Sequence, residues 1–112
     1  MAQEDFFPEI ITGLPQADVP LAGVRAYLFQ GDGKQLVFMT FADDVDVPEH
    51  DHAAQWGAVL DGEIELTIGA ETFTFRKGDT YFIPAGVPHG ARVKGGSSLQ
   101  DLFDQADRYR AK

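Results

Sequence analysis

The sequence predicts an all-β domain, a closed barrel or sandwich of short strands. Glycine (12) and proline (6) recur between short apolar runs, the rhythm of strands punctuated by tight turns. Several runs alternate polar and apolar residues, EIELTI and TFTF most plainly, as strands with one buried face do. The length of 112 residues fits one domain with one core, and closing evenly spaced short strands removes exposed sheet edges.

Each element can be justified in order. Residues 1–22 hold FFPEIITGLPQADVPL with its three prolines. They are expected as an extended segment lying on the barrel or reaching a partner chain. The barrel itself is expected over residues 23–104. Gly23–Gln30 (GVRAYLFQ) and Lys34–Phe41 (KQLVFMTF) are rich in β-branched and aromatic residues, and Gly31-Asp32-Gly33 between them is hairpin chemistry. The next stretch, ADDVDVPE, reads as an extended or edge segment, because Pro48 has no N–H to give to a sheet ladder. From Trp56 to Gly86 the chain reads as four strands, with Asp61-Gly62 and Lys77-Gly78-Asp79 among the turns between them. Ala91–Val93 is a further short strand, KGGSS a loop, and Leu99–Phe103 a strand that closes the sheet. Residues 105–112 are a polar tail, read as a helical turn or a partly ordered end.

Composition removes several function classes. The chain has 18 acidic and 9 basic residues, a net charge of −9. Nucleic acid and anionic membrane are poor partners for such a surface, since phosphates need clustered Lys and Arg. Cations are mildly attracted. With no cysteine, disulfides, thiolate metal sites and cysteine nucleophiles are excluded, and no oxidising compartment is required. The opening MAQEDFFPEI has no basic n-region and no long apolar run, so a signal peptide is not expected. Nor does any stretch reach the length of a membrane span. The expected location is cytoplasmic. No Ser-His-acid order, phosphate loop or paired-carboxylate signature appears.

Two of the three histidines stand one residue apart, in His50-Asp51-His52. On a strand, residues two apart share a face, so both imidazoles can aim at one point with Asp51 directed away. Gln55 is out of phase and needs a bend, for which Ala53-Ala54 is a site. His89 follows IPAGVP, where Gly86 and Pro88 make a tight turn that delivers it from another strand. Three imidazoles and an amide oxygen suit a borderline divalent ion. Taken singly, each of these residues is more often surface or packing than ligand; the joint pattern carries the reading.

That pattern resembles the cupin family. Gly78, Pro84, Gly86 and His89 stand at the spacing of the family's second motif: Gly, five residues, Pro-x-Gly, two residues, His. His50, His52, Gln55 and Gly62 stand in the roles of the first, and fifteen residues separate Gly62 from Gly78, the short form of small microbial cupins. The resemblance spans about Phe38 to Phe103. It implies a double-stranded β-helix or jelly-roll barrel in a single domain. It also implies one divalent transition-metal ion (Zn, Ni, Co, Fe or Mn) held by His50, His52, Gln55 and His89, a small organic ligand in the barrel, and a homodimer. The sequence departs from the pattern at Asp44 for the opening Gly, at the two-residue gap from His52 to Gln55, at Gln55 for Glu, and at Val93 for the closing Asn. Gln brings a carbonyl dipole where Glu brings a charge, so an ion here keeps its full divalent charge and acts as a stronger Lewis acid.

Other residues invite weighing. Trp56 can pack outside the barrel or at a subunit contact, with core or interface packing favoured over ligand stacking, and Phe38, Phe41, Phe73, Phe75, Phe82 and Phe103 read as mostly core. If alternation runs from Gln55, Gly57 and Val59 face inward beside the metal. Tyr27, Tyr81 and Asp101 are acid–base candidates. Asp101 stands out because a charge in the apolar run LQDLF needs a reason, such as bonding a metal-bound histidine. The expected function is Lewis-acid enzymology on a small organic molecule. The alternative is a metal-dependent sensor or carrier without turnover, and a third reading is a structural barrel with a vestigial site.

Overall fold

The computed structural model describes residues 6–112; residues 1–5 of the expected N-terminal segment lie outside the described residues. One short helix, α1 (Glu9–Thr12), precedes nine strands. These are β1 (Val24–Gly31), β2 (Lys34–Phe41), β3 (Val45–His50), β4 (Gln55–Asp61), β5 (Glu63–Ile68), β6 (Glu71–Arg76), β7 (Thr80–Ile83), β8 (His89–Val93) and β9 (Ser98–Phe103). They form two antiparallel sheets, ordered β1-β2-β9-β4-β7 and β3-β8-β5-β6. This is the expected all-β jelly roll. Among the described residues no helix is long and apolar enough to cross a membrane.

Local chemistry sets the turns. Asp32 and Gly33 both take positive φ, 54° and 72°, which a two-residue type I′ hairpin demands. They close β1 on β2 with Gly31 opposite Lys34. The alternation read from the sequence then sorts side chains. Val37, Met39 and Phe41 of β2 point between the sheets, as do Val59 of β4, Ile64 and Leu66 of β5, and Leu99 and Phe103 of β9, all of them buried. Strand β9 lies between β2 and β4, pairing Asp101 with Val37 on one side and with Gly57 on the other. The sheet is thus closed at its centre, and Asp101 is carried into the interior.

Some core expectations need correcting. Phe41 and Phe103 are buried, but Phe73 is 40% exposed, Phe82 57% and Trp56 40%. The register explains Trp56 and Phe82, which are cross-strand partners one residue out of phase with the inward-facing Gln55, Gly57, Tyr81 and Ile83, so they sit on the outer face; Phe73 pairs with the buried Leu66 but stands on β6, the edge strand of its sheet.

The tail is neither helical nor loose. Gln35, fully buried, donates to the Tyr109 carbonyl at 2.8 Å and accepts from the Tyr109 amide at 2.9 Å. The Asp18 amide donates to the Arg110 carbonyl at 2.7 Å, and the Lys112 amide to the Gln16 carbonyl at 2.8 Å. A buried amide with both ends satisfied by one backbone position holds that backbone firmly. The Tyr109 ring meets Phe103 edge-on at 5.8 Å, so the tail crosses one mouth of the barrel.

Candidate metal centre

His50 closes β3 and His89 opens β8, and the two are cross-strand partners next to a register shift after Val47. His52 lies just beyond β3. Its carbonyl accepts from the Gly86 amide at 2.9 Å, tying it to the loop that delivers His89. Gly86 has φ of +76°, a conformation open to glycine and costly for other residues, and this makes the tight turn foreseen between Pro84 and Pro88.

The three rings face one another, with centroids 5.1 Å (His50–His52), 4.3 Å (His50–His89) and 4.6 Å (His52–His89) apart. One ligand nitrogen from each lies within 4.8 Å of the others. The backbone decides which nitrogen. Each Nδ1 sits beside a carbonyl: His50 on Pro48 at 2.9 Å, His52 on Ala53 at 2.7 Å, His89 on Val87 at 2.9 Å. A carbonyl can only accept, so each Nδ1 carries the proton and each Nε2 presents a lone pair. The Nε2 atoms of His52 and His89 then stand 3.1 Å apart. Two lone pairs at that separation repel unless a proton or a cation lies between them. The donor set therefore fits a metal ion, and the backbone carbonyls play the orienting part that usually falls to partners outside the ligand shell.

Burial favours the neutral form of His52 and His89. His52 is lowered to about 4, chiefly by desolvation; the Ala53 hydrogen bond opposes this, while Arg108 and the neighbouring imidazoles add to it. His89 is also lowered, again mainly by burial. Neutral imidazoles are the ligand form.

Gln55 opens β4 and lines the same cavity as the histidines. Its Nε2 donates to Asp101 Oδ1 at 3.0 Å, which leaves the amide oxygen as the atom suited to an ion. Asp101 does not bond a histidine, contrary to expectation, because the three Nδ1 positions are already taken by carbonyls. Its Oδ1 accepts from Tyr81 Oη at 2.7 Å as well as from Gln55. Complete burial raises Asp101 from 3.8 to about 6, with the two hydrogen bonds and the Arg108 charge pulling it back. Tyr81, buried beside this carboxylate, is pushed well above its ordinary value. Gly57 is required here, since a Cβ would overlap both Asp101 Oδ1 and the Tyr81 ring. Tyr27, the remaining acid–base candidate, is buried outside the cavity lining, under the N-terminal segment that bridges to it at Gln16.

The cavity holds about 370 Å³ between the sheets, within the range of small-molecule sites. Its walls are mostly apolar, with Met39, Ile83, Leu99 and Phe103 among them. One lining residue escaped the sequence reading. Arg108 reaches in from the tail, its Nη2 3.4 Å from His50 Nε2. Its guanidinium carbon lies 4.5 Å from the Tyr109 ring centre and 5.6 Å from that of Phe103. Its Nε is buried without a hydrogen-bond partner among the described residues. The available signal was an aromatic between two arginines in a polar tail, five residues after a core phenylalanine.

Comparison with known proteins agrees with this architecture. Residues 37–100 match the model of the cupin domain. No curated protein matches the chain. Among solved structures, KdgF from Halomonas sp. superposes with a TM-score of 0.71 at 23% identity, covering 82% of this chain and 86% of that one. AerE from Microcystis aeruginosa gives 0.72 at 26%, covering 80% and 45%. Oxalate decarboxylase from Bacillus subtilis, described with Mn(II) centres, gives 0.69 at 19%, covering 87% and 29%.

Proposed function

The chain belongs to the cupin family, and from that premise we propose that it binds one divalent transition-metal ion through His50, His52 and His89, with the Gln55 amide as fourth donor, and acts on a small carboxylate-bearing molecule in the barrel. The observation that carries this is the convergence of three Nε2 lone pairs fixed by three backbone carbonyls. A bound ion supplies Lewis-acid polarisation of an oxygen on the substrate.

The remaining roles follow from the chain's own groups. Arg108 is a cation held beside a site built for cations. Its buried Nε has no partner, a costly state for a charged donor. An anionic ligand relieves both problems, and a guanidinium fork matches a carboxylate in two-point contact. Stacking on Tyr109 and Phe103 orients that fork. The apolar walls exclude water around the bound molecule.

Asp101 favours turnover over mere binding. Oδ1 takes both hydrogen bonds, which leaves Oδ2 to exchange a proton with a ligand. A carboxyl raised to about 6 exchanges protons readily near neutral pH. Tyr81 and Gln55 hold the group in one orientation.

The test joins elemental analysis to calorimetry. Tag-free protein is expected to hold about one transition-metal ion per chain. The loaded protein is expected to bind pyruvate, oxalate or malonate, and to ignore pyruvamide and malonamide. Arg108→Gln should weaken carboxylate binding about tenfold or more while leaving metal content unchanged. Equal binding of acids and amides, or of wild type and variant, would contradict the role of Arg108. Absence of metal would contradict the whole reading.

A further inference from the structure

The inward-facing residues stack in levels along the strands, and the levels differ in chemistry. Gln55 pairs with Phe103 and Ile83, and the His52 ring meets Phe103 edge-on at 5.4 Å, so this level holds the histidines. Two residues along the strands, Asp101 stands opposite Gly57, and Gly57 opposite Tyr81. The next level on this sheet is Met39 opposite Leu99. On the other sheet, the row that follows His89 is Val47, Ala91 and Leu66, and after it come Val93 and Ile64. The polar lining side chains therefore gather at one end of the cavity. Beyond Asp101, among the described residues, every strand side chain that lines it is apolar, out to Phe41. Val19 and Leu21 of the N-terminal segment add apolar side chains to the wall. Val37 is the register partner of Asp101, and from Val37 to Phe41 the strand advances roughly 13 Å.

We infer that the ligand is amphipathic, a monocarboxylic acid with an apolar tail of several carbons. Its carboxylate lies at Arg108, and its tail lies between Met39 and Leu99 on one sheet and Leu66 and Ala91 on the other. This rests on the carboxylate reading above and adds what the far end of the molecule must be. Volume supports it. At the share of one water per non-hydrogen atom, about 30 Å³, the cavity of about 370 Å³ has room for roughly a dozen such atoms. Pyruvate or malonate fills only about half of that. The rest is left to water against apolar walls, and an apolar tail gains free energy by replacing it. A second carboxylate on the tail would find no donor beyond Asp101, which is costly for a buried charge.

Calorimetry of the full-length protein loaded with Zn²⁺ tests this with acetate, butyrate and hexanoate. Affinity should rise about fourfold per added methylene. Adipate, which is hexanoate with a second carboxylate at the far end, should bind at least tenfold more weakly than hexanoate. The gain per methylene should persist in chelator, where every affinity falls, because the tail does not touch the ion. Ala91→Leu fills the apolar end and should end the gain at a shorter chain. Leu21→Asn, outside the strands, should lower the gain and serves should Ala91→Leu fail to fold. Acetate and hexanoate that bind equally overturn this inference and leave the carboxylate reading standing. So does a gain that is unchanged in the folded variants. Failure of every acid to bind overturns both.

Discussion

Asp101→Asn should stabilise this protein, and by an amount that depends on pH. The carboxyl is fully buried and raised from 3.8 to about 6. Folded protein therefore holds this proton up to about pH 6, while the unfolded chain releases it near 3.8. Between those values the folded state binds more protons, so stability falls as pH rises, and the deficit is fully developed above pH 6. Two pKa units correspond to about 3 kcal/mol. Asn keeps an oxygen for Tyr81 and Gln55 and has no charge to bury. The variant's advantage over wild type should be about 1 kcal/mol at pH 4.5 and about 3 kcal/mol from pH 7 upward. His52 works in the opposite direction. Its folded value of about 4 lies below the ordinary 6.5, so stability rises with pH across that window, but it does so in both proteins and cancels in the difference. Urea titrations at several pH values, in chelator, measure this. Chelator matters because an ion on the nearby histidines would favour the charged carboxylate. A difference that stays flat with pH, or a variant less stable than wild type at pH 8, would refute the claim that Asp101 is strained by burial. The same variant should lose any proton-transfer activity, separating function from stability at one residue.

Three further outcomes are expected. His52→Ala should reduce metal content to well below half an ion per chain, while Asp51→Ala, at an exposed residue outside the histidine cluster, leaves it near one; equal losses by elemental analysis would count against the ligand assignment. The His52 ring, lowered to about 4, should stay neutral in metal-free protein at about pH 5.5 as at pH 7.5 when its ring shifts are followed by NMR; protonation already at pH 6.5 would mean that this ring is more solvated than the structure shows. Gly57→Ala should cost about 1–3 kcal/mol in urea unfolding, since its Cβ would displace Asp101 and Tyr81; a neutral effect would show that this pair can shift freely.

Much of the molecule was legible in the sequence for reasons of local physics. Alternation placed Val59 and Leu66 inward, and the Asp32-Gly33 turn declared its hairpin, because period and turn chemistry act within a few residues. The histidine cluster was legible because motif spacing encodes which strands must meet. What escaped was non-local. Alternation from Gln55 turns Trp56 outward, but nothing near Phe82 in sequence says that its strand phase does the same; only the pairing of β7 with β4 decides it. Asp101 was noticed as a charge in an apolar run, yet its partners, Gln55 and Tyr81, are 46 and 20 residues away. Arg108 was hidden by its neighbours. A polar tail reads as solvated until a buried amide, Gln35, is seen to hold Tyr109 by both backbone groups.

The charge arrangement inside the barrel ties these findings together. The exterior, at a net charge of −9, draws cations toward the protein and opposes anions at a distance, but that field fades within about 8 Å at physiological salt. Within the cavity the balance reverses. The buried imidazoles of His52 and His89 are neutral at pH 7, Asp101 is mostly ionised, and Arg108 offsets it. Adding a divalent ion to this near-neutral set leaves a positive interior in an apolar shell, where charge interactions are stronger than in water. Such a pocket discriminates by charge more sharply than by shape. It should prefer a ligand whose anionic group satisfies Arg108 and the ion together, and reject a neutral isostere that leaves both unsatisfied. Glu in place of Gln55 would cancel part of that positive charge. Under the function proposed above, the amide at position 55 and the arginine at position 108 would serve one purpose, which is to keep the interior of an acidic protein receptive to an acid.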